Sequence, residues 1–303
     1  MESAIVYLPK EPMKAPSASV KPEEVKFPVL ASPKLDGLRA LHIKSGIVSK
    51  TFSRFRNDYT HTLFQRSEYA SFDGELIVGL PYGGDVIRRT YSGVMSKDGC
   101  PDVKWYLFDD FSIPDTTFRV RQQMLRKRVR NLPAALRKRV EVLEQRIIGS
   151  LGELLSYEAD MLRMGYEGLM LRDPTGPYVD KRCTMRDGWI QKFKRFEDKE
   201  AFITGFEEGS INGNERKADG KRRTLRAGMR PSGMVGTILA KDKETGEPIR
   251  VAPGRLSHEE RFQMLAQPKK FIGLEFTYRR FPTGTYAAPR FPTFQTFRNS
   301  ERV

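Results

Sequence analysis

Lys34-Leu35-Asp36-Gly37-Leu38-Arg39 (KLDGLR) is the stretch on which the reading of this 303-residue chain turns. Asp-Gly is a turn former, and a lysine and an arginine on either side suit a solvated bend. The same residue types also suit a site that handles phosphate, which lysine meets as a point charge and arginine as a planar fork. KLDGLR alone leaves both readings open, so the rest of the chain decides between them.

Working outward, Asp73-Gly74-Glu75 follows about 40 residues later at the start of a strand-like run, Phe72–Val78 (FDGELIV). Phe108-Asp109 ends a second run, Trp105–Phe108 (WYLF). Glu167-Gly168 opens a third, Gly168–Leu171 (GLML), and Lys192-Phe193-Lys194 lies on a fourth, Trp189–Phe193 (WIQKF). Each run is bounded by Gly, Pro or Asp, as short strands are. Residues two apart on a strand share a face, so Lys192 and Lys194 point together while Phe193 points away. Two neighbouring ammonium groups repel unless an anion lies between them, and phosphate is the natural anion. As a pair inside a strand start, Asp73 and Gly74 read as turn residues.

Composition narrows the function class. Lys and Arg number 53 against 38 Asp and Glu, a formal charge of +15 that favours a polyanionic partner, usually nucleic acid. A hydrophobic share of 39% is enough for a real core and too much for a disordered chain. No apolar run approaches the roughly 18 residues of a membrane-spanning helix, and the Pro- and Lys-rich start argues against a secretory signal. Two cysteines, Cys100 and Cys183, rule out a disulfide framework and suit a reducing compartment. Three scattered histidines (His42, His61, His258) leave no imidazole cluster for zinc, so a metal here takes oxygen ligands.

The organisation reads as an α+β chain. Residues 1–28 form a loose lead-in, 29–196 a domain of alternating strands and helices, and 197–303 a small β-barrel of the OB type. Helical spacing runs from Phe118 to about Gln145 with a break at Asn131–Pro133, and over Leu151–Met164 behind the N-cap Ser150. In the second domain AFITGF, MVGTILA and IGLEFTYRRF are strand runs, with a helix start at Ser257. Two basic stretches stand out. Arg119–Arg139 holds nine Lys/Arg and no acid, and reads equally as a solvated face over the core or as a surface for nucleic acid. The segment 211–232 holds seven (Arg216, Lys217, Lys221, Arg222, Arg223, Arg226, Arg230) with almost no apolar residue, which suits a mobile functional loop.

Taken in order, the set resembles the covalent nucleotidyltransferases, and among them the ATP-dependent DNA ligases, closest to the minimal two-domain ligases of viruses and phages. KLDGLR looks like the nucleophile motif, SRFRN (Ser53–Asn57) the next, FDGEL the third, YLFDD the adenine-side motif, EGLML the fourth and QKFK the fifth. Pro289-Arg290-Phe291-Pro292-Thr293-Phe294 through Arg298 resembles the last motif, but Arg298 is followed by Asn-Ser-Glu-Arg-Val where the family usually has Asp-Lys nearby, which puts Glu301 and Arg302 in doubt. The resemblance implies an adenylation (nucleotidyltransferase) domain followed by an OB-fold domain, acting on nicked duplex DNA as a monomer in the cytoplasm.

By that resemblance Lys34 takes up AMP from ATP, and Lys192, Lys194 and Mg2+ (or Mn2+) neutralise the α-phosphate. A free lysine has a pKa of about 10.4, and these cations would depress it. Glu75 contacts the ribose, Glu167 a catalytic metal, and both are hard oxygen ligands. Phe108 stacks on adenine, with Ser32 at its edge. Asp36 lies near the 3′ end of the nick, Arg39 and Arg54 grip its 5′-phosphate, and Arg298 serves the pyrophosphate. The basic loop 211–232 closes on the duplex. The alternatives are an RNA ligase or a capping-type guanylyltransferase, and a non-catalytic OB-fold nucleic-acid-binding protein. Glu167 favours the DNA ligase over the capping enzymes, which usually have Asp there.

Overall fold

Along FDGELIV, Phe72 and Leu76 enter one apolar core while Asp73, Glu75 and Ile77 face the other way, the period of two that makes a strand. This strand crosses the middle of a five-stranded sheet, one of three sheets in a computed structural model that describes residues 7–216, 222, 225–281 and 290–298. The chain divides into two compact units, Met1–Lys194 and Arg195–Val303.

The first unit runs β1 (Val29–Pro33), β2 (Leu38–Ile43), β3 (Gly46–Ser49), α1 (Asp58–Phe64), β4 (Phe72–Val78), α2 (Val86–Met95), β5 (Val103–Asp110), α3 (Phe118–Arg130), α4 (Ala134–Arg137), β6 (Val140–Val142), β7 (Arg146–Ile148), α5 (Leu151–Arg163), β8 (Leu169–Arg172) and β9 (Ile190–Phe193). One sheet has the order β7-β1-β8-β9, the other β3-β2-β4-β5-β6. All pairs in them are antiparallel except β5 with β6. Trp105 and Leu107 of β5 join Phe72 and Leu76 in the core under α3, whereas Tyr106 and Phe108 face away with Leu35 and Ile77. Val29, Ala31, Leu169, Leu171 and Phe193 pack against Leu154 and Tyr157 of α5, which starts behind Ser150, whose hydroxyl accepts from the Glu153 N–H.

Several expectations are corrected here. Asp73 and Gly74 are strand residues rather than a turn, and Asp73 is fully buried. A Cβ at Gly74 would lie 2.3 Å from the Tyr106 carbonyl oxygen, so glycine is there to let β4 and β5 approach. The helix expected to resume after Pro133 lasts one turn and gives way to β6 and β7, because Val140–Val142 and Arg146–Ile148 find sheet edges to pair with. Residues 7–28 are no loose lead-in: Met13, Val20 and Val25 are buried in the unit. The basic stretch on α3 fits neither reading whole. Arg121 is fully buried and bonded to Asp109 at 2.8 Å, Arg128 reaches Asp110 at 2.7 Å, and Arg119, Arg126 and Arg130 are exposed.

The second unit is a five-stranded antiparallel sheet of order β12-β11-β10-β13-β14, formed by β10 (Glu197–Asn212), β11 (Met229–Asp242), β12 (Pro248–Val251), β13 (Glu275–Phe281) and β14 (Arg290–Phe297). Between β12 and β13 lie α6 (His258–Ala266), opened by the Ser257–Glu260 capping box, and α7 (Pro268–Phe271). Among the described residues the two edges of the sheet meet in a single bridge, Ala252 with Thr293, rather than a continuous closed ladder. The segment 211–232 is not a structureless loop at its base. It begins and ends inside the β10–β11 ladder, where Ile211 pairs with Arg230 and Asn212 with Met229.

Candidate active site

The two sheets of the first unit face each other across a cavity of about 150 Å3. β1, β8 and β9 contribute Ser32, Met170, Arg172 and Ile190; β2, β4 and β5 contribute Arg39, Glu75 and Phe108. The strand registers align these groups: Arg39 lies opposite Glu75, Glu75 opposite Tyr106, and Ser32 opposite Met170. Lys34 stands where β1 ends and the link to β2 begins, so it lines the cavity at the join of the two sheets. Gly37 lets that link pass: a Cβ there would lie 2.3 Å from the Leu76 carbonyl oxygen.

The Lys34 N–H donates to the Gly168 carbonyl at 2.8 Å, which sets Lys34 beside the residue preceding that glycine. Its Nζ lies 2.5 Å from Glu167 Oε2, and the same oxygen is 3.0 Å from Lys194 Nζ. Burial alone would raise the Glu167 carboxyl, but the Lys34 and Lys194 ammonium groups outweigh it and hold the group well below the usual carboxylate range. Burial lowers the Lys194 and Lys192 ammonium groups, and their cationic neighbours lower them further. Lys192 donates to the Ser17 carbonyl at 2.7 Å, so the two lysines expected to share one anion are held by different acceptors, Glu167 and the N-terminal segment. Asp36, in the link after Lys34, acts electrostatically on Lys194.

Arg39 forms a two-pronged pair with Asp73, Nε to Oδ1 at 3.0 Å and Nη2 to Oδ2 at 2.5 Å, and donates from Nη1 to the Met13 carbonyl at 2.6 Å. The Tyr178 hydroxyl donates to the same Asp73 at 2.9 Å. The guanidinium thus fixed sits 5.4 Å from the centroid of the Phe108 ring. Burial pushes the Glu75 carboxyl up to about 7, against the pull of Lys34 and Arg39. Arg172, which also faces the cavity, lies 3.2 Å from the fully buried Asp109.

Ser32, Lys34, Arg39, Glu75 and Phe108 therefore share one cavity, with Glu167 and Lys194 attached to it through Lys34. Arg54 is elsewhere, exposed and paired with Asp58 at 2.8 Å. Arg298 belongs to the second unit and pairs with Glu200 at 2.8 Å. Arg216, Arg222, Arg226 and Arg230 are exposed along the β10–β11 hairpin, while Lys217, Lys221, Arg223, Glu301 and Arg302 lie outside the described residues. Sequence reasoning missed the carbonyls of Met13 and Ser17, the Tyr178 hydroxyl and Gln145, which also lines the cavity. A backbone carbonyl leaves no mark in sequence; Tyr178 and Gln145 carry none of the motif spacing.

A family model described as the ATP dependent DNA ligase domain matches residues 12–194. No curated protein sequence matches the chain. Among solved structures, Chlorella virus DNA ligase-adenylate is 26% identical over 96% of this chain and 100% of its own, with a TM-score of 0.56. A Lig E DNA ligase (23% identity, 94% of this chain and 99% of its own, TM-score 0.69) shares the fold. So does the ATP-dependent DNA ligase of bacteriophage T7 in complex with ATP (14%, 95% and 98%, TM-score 0.50). No helix among the described residues is long and apolar enough to cross a membrane. The family match takes in every strand that builds the cavity and the lysine at its edge, and this chain belongs to the ATP-dependent DNA ligases.

Proposed function

We propose that the chain seals nicks in duplex DNA with ATP, through AMP carried on Lys34. One observation supports this above the rest: a lysine at the cavity edge whose Nζ is 2.5 Å from a carboxylate that a second lysine also holds. A nick's 5′-phosphate has hydroxide as its leaving group, and covalent catalysis replaces one difficult displacement by easier ones. Lys34 Nζ attacks the α-phosphorus of ATP, a P–N bond forms and pyrophosphate leaves. The AMP passes to the 5′-phosphate and frees Lys34. The 3′-hydroxyl then attacks that phosphate and AMP departs.

In this scheme Glu167 orients Lys34 through their ion pair. Lys194 and Lys192 offset charge on the transferred phosphate, where stabilisation matters most. Phe108 presents its ring to the base and Glu75 its carboxyl to the ribose. Arg39, Arg54 and Asp36 meet the nick, and Arg298 the pyrophosphate. Among the described residues no group of three or more His, Cys, Asp or Glu side chains could hold a metal ion by itself. Glu75 and Glu167 fit a hard cation such as Mg2+ that takes its other oxygens from phosphate and water, and that would supply charge neutralisation at the reacting phosphorus. The exposed arginines of the β10–β11 hairpin meet the DNA backbone.

The test is sealing of a nicked duplex with ATP and Mg2+, read on a denaturing gel beside the Lys34→Ala variant. Sealing by the wild type and none by the variant is expected; a variant that seals ends the reading.

A further inference from the structure

The cavity beside Lys34 is small. Sites that enclose a whole drug-sized ligand usually run to roughly 300–1,000 Å3, and this one is about 150 Å3, so it encloses part of a nucleotide. Its cationic side chains are already paired: Lys34 with Glu167, Arg39 with Asp73, Arg172 with Asp109. A neutral polar side chain in the wall has a buried atom that is not. Gln145, in the link between β6 and β7, has its Oε1 buried without a hydrogen-bond partner among the described residues. Among the described residues its Nε2 reaches only the Leu143 carbonyl, at 3.5 Å.

A buried amide oxygen with no donor is costly, and such groups are seldom left so unless something else supplies the donor. Adenine carries an exocyclic amine on C6, two donors, where guanine carries an acceptor oxygen. An amide could serve either base by turning over. Here the turned form would bring Oε1 toward the Leu143 carbonyl oxygen, two acceptors face to face, so the backbone biases Gln145 toward accepting. The oxygen is covered by its neighbours in the wall, so the side chain has to rotate for it to meet a bound base.

We propose that Gln145 selects adenine over guanine by accepting a hydrogen bond from the exocyclic amine of the base. This rests on the proposed adenylylation of Lys34 and adds to it the residue that chooses the nucleotide. Leu143 and Phe108, in the same wall, supply apolar surface that every purine shares, so they contribute affinity without discrimination.

The test measures labelling of the protein with ATP, GTP and purine riboside triphosphate, which lacks the amine, in wild type, Gln145→Leu and Gln145→Glu. Thermal melting checks that each variant is folded. In the wild type kcat/KM for ATP should exceed that for the amine-free analogue by about tenfold, the worth of one hydrogen bond. In Gln145→Leu the ratio should collapse to within about twofold, mostly through KM for ATP. Gln145→Glu keeps an acceptor and should retain the preference for ATP over the analogue. A wild type that does not distinguish ATP from the analogue, or a Gln145→Leu variant that distinguishes them as well as the wild type, overturns the assignment. Should the leucine variant not fold, Gln145→Met takes its place under the same criterion. Failure of the wild type to be labelled by any of the three overturns the adenylylation reading itself, and this assignment with it.

Discussion

Lys34 Nζ and Glu167 Oε2 meet at 2.5 Å across 133 residues of chain. The contact follows from two sheet relations: β1 pairs with β8 antiparallel, and the Lys34 N–H continues that pairing to Gly168. Lys34 is thereby delivered to the carboxylate next in sequence. Lys194, at the end of the neighbouring β9, completes the group.

Lys34→Ala should abolish covalent labelling by α-phosphate-labelled ATP and leave the fold intact. Glu167 keeps Lys194 as a partner in the variant, so no buried carboxylate is stranded. The thermal midpoint should move by no more than a few degrees. Labelled protein would show that another residue is the nucleophile.

Glu167→Ala removes the carboxylate that Lys34 and Lys194 share. Phosphoryl transfer should slow by roughly a hundredfold, in line with losing one group that stabilises the transition state. ATP should still bind, because Glu167 is not part of the cavity wall. Rapid-quench adenylylation beside equilibrium ATP binding separates the two; near wild-type transfer would show that Lys34 needs no carboxylate there.

Phe108→Ala removes a ring that lines the cavity and lies under the Arg39 guanidinium. Loss of a stacking face should weaken ATP binding by about 1–3 kcal/mol. An unchanged dependence of adenylylation on ATP concentration would reduce Phe108 to a wall of the core.

Asp109→Asn should destabilise the first unit by about 3–5 kcal/mol, since it leaves Arg121 and Arg172 buried without their carboxylate. Burial alone would raise the Asp109 carboxyl; Arg121 and Arg172 overcome that and hold it lowered. A lowered carboxylate adds stability that is fully present above its unfolded value of about 3.9 and is lost as pH falls through the folded value. Urea melts at pH 7 and at pH 3 should therefore show a smaller difference between wild type and variant at the lower pH. Equal differences at both would place the effect in packing rather than charge.

Replacing residues 214–228 by a short Gly-Ser linker should leave labelling of Lys34 nearly normal and sharply reduce nick binding and sealing. Stopping before Met229 spares its pairing with Asn212, so the β10–β11 ladder stays closed. Every phosphate that the hairpin no longer neutralises should reduce the salt slope of binding by about 0.9. Nick affinity measured from low to high salt decides: an unchanged slope means the hairpin arginines are ordinary solvated charges.

Much of the first unit is legible in the chain alone. Phe72–Val78 shows its strand in its alternation and Leu151–Arg163 its helix in the Ser150 cap and the Gly165 stop, because these are local preferences that neighbours in the chain decide. The region after Pro133 is not legible in this way. Its apolar residues suit helix or strand, and the edges of β5 and β1, offered by distant segments, settle it as strand. The positive charge of Arg119–Arg139 is visible in the sequence, but not that Arg121 turns inward, since that depends on Asp109 being buried on β5.

Which chemistries are available follows from the chain alone: the residue types, their order, and the basic balance that calls for a polyanion. Tertiary structure alone decided who meets whom. Arg39 is bound to Asp73 and Tyr178 to the same carboxylate, Lys192 to the Ser17 carbonyl, and Lys34 shares Glu167 with Lys194. The partners of Arg39 and Lys192 lie 34 and 175 residues away in the chain. The register of one strand against the next sets such pairings, and a slip of one residue would turn every strand side chain among them to the opposite face.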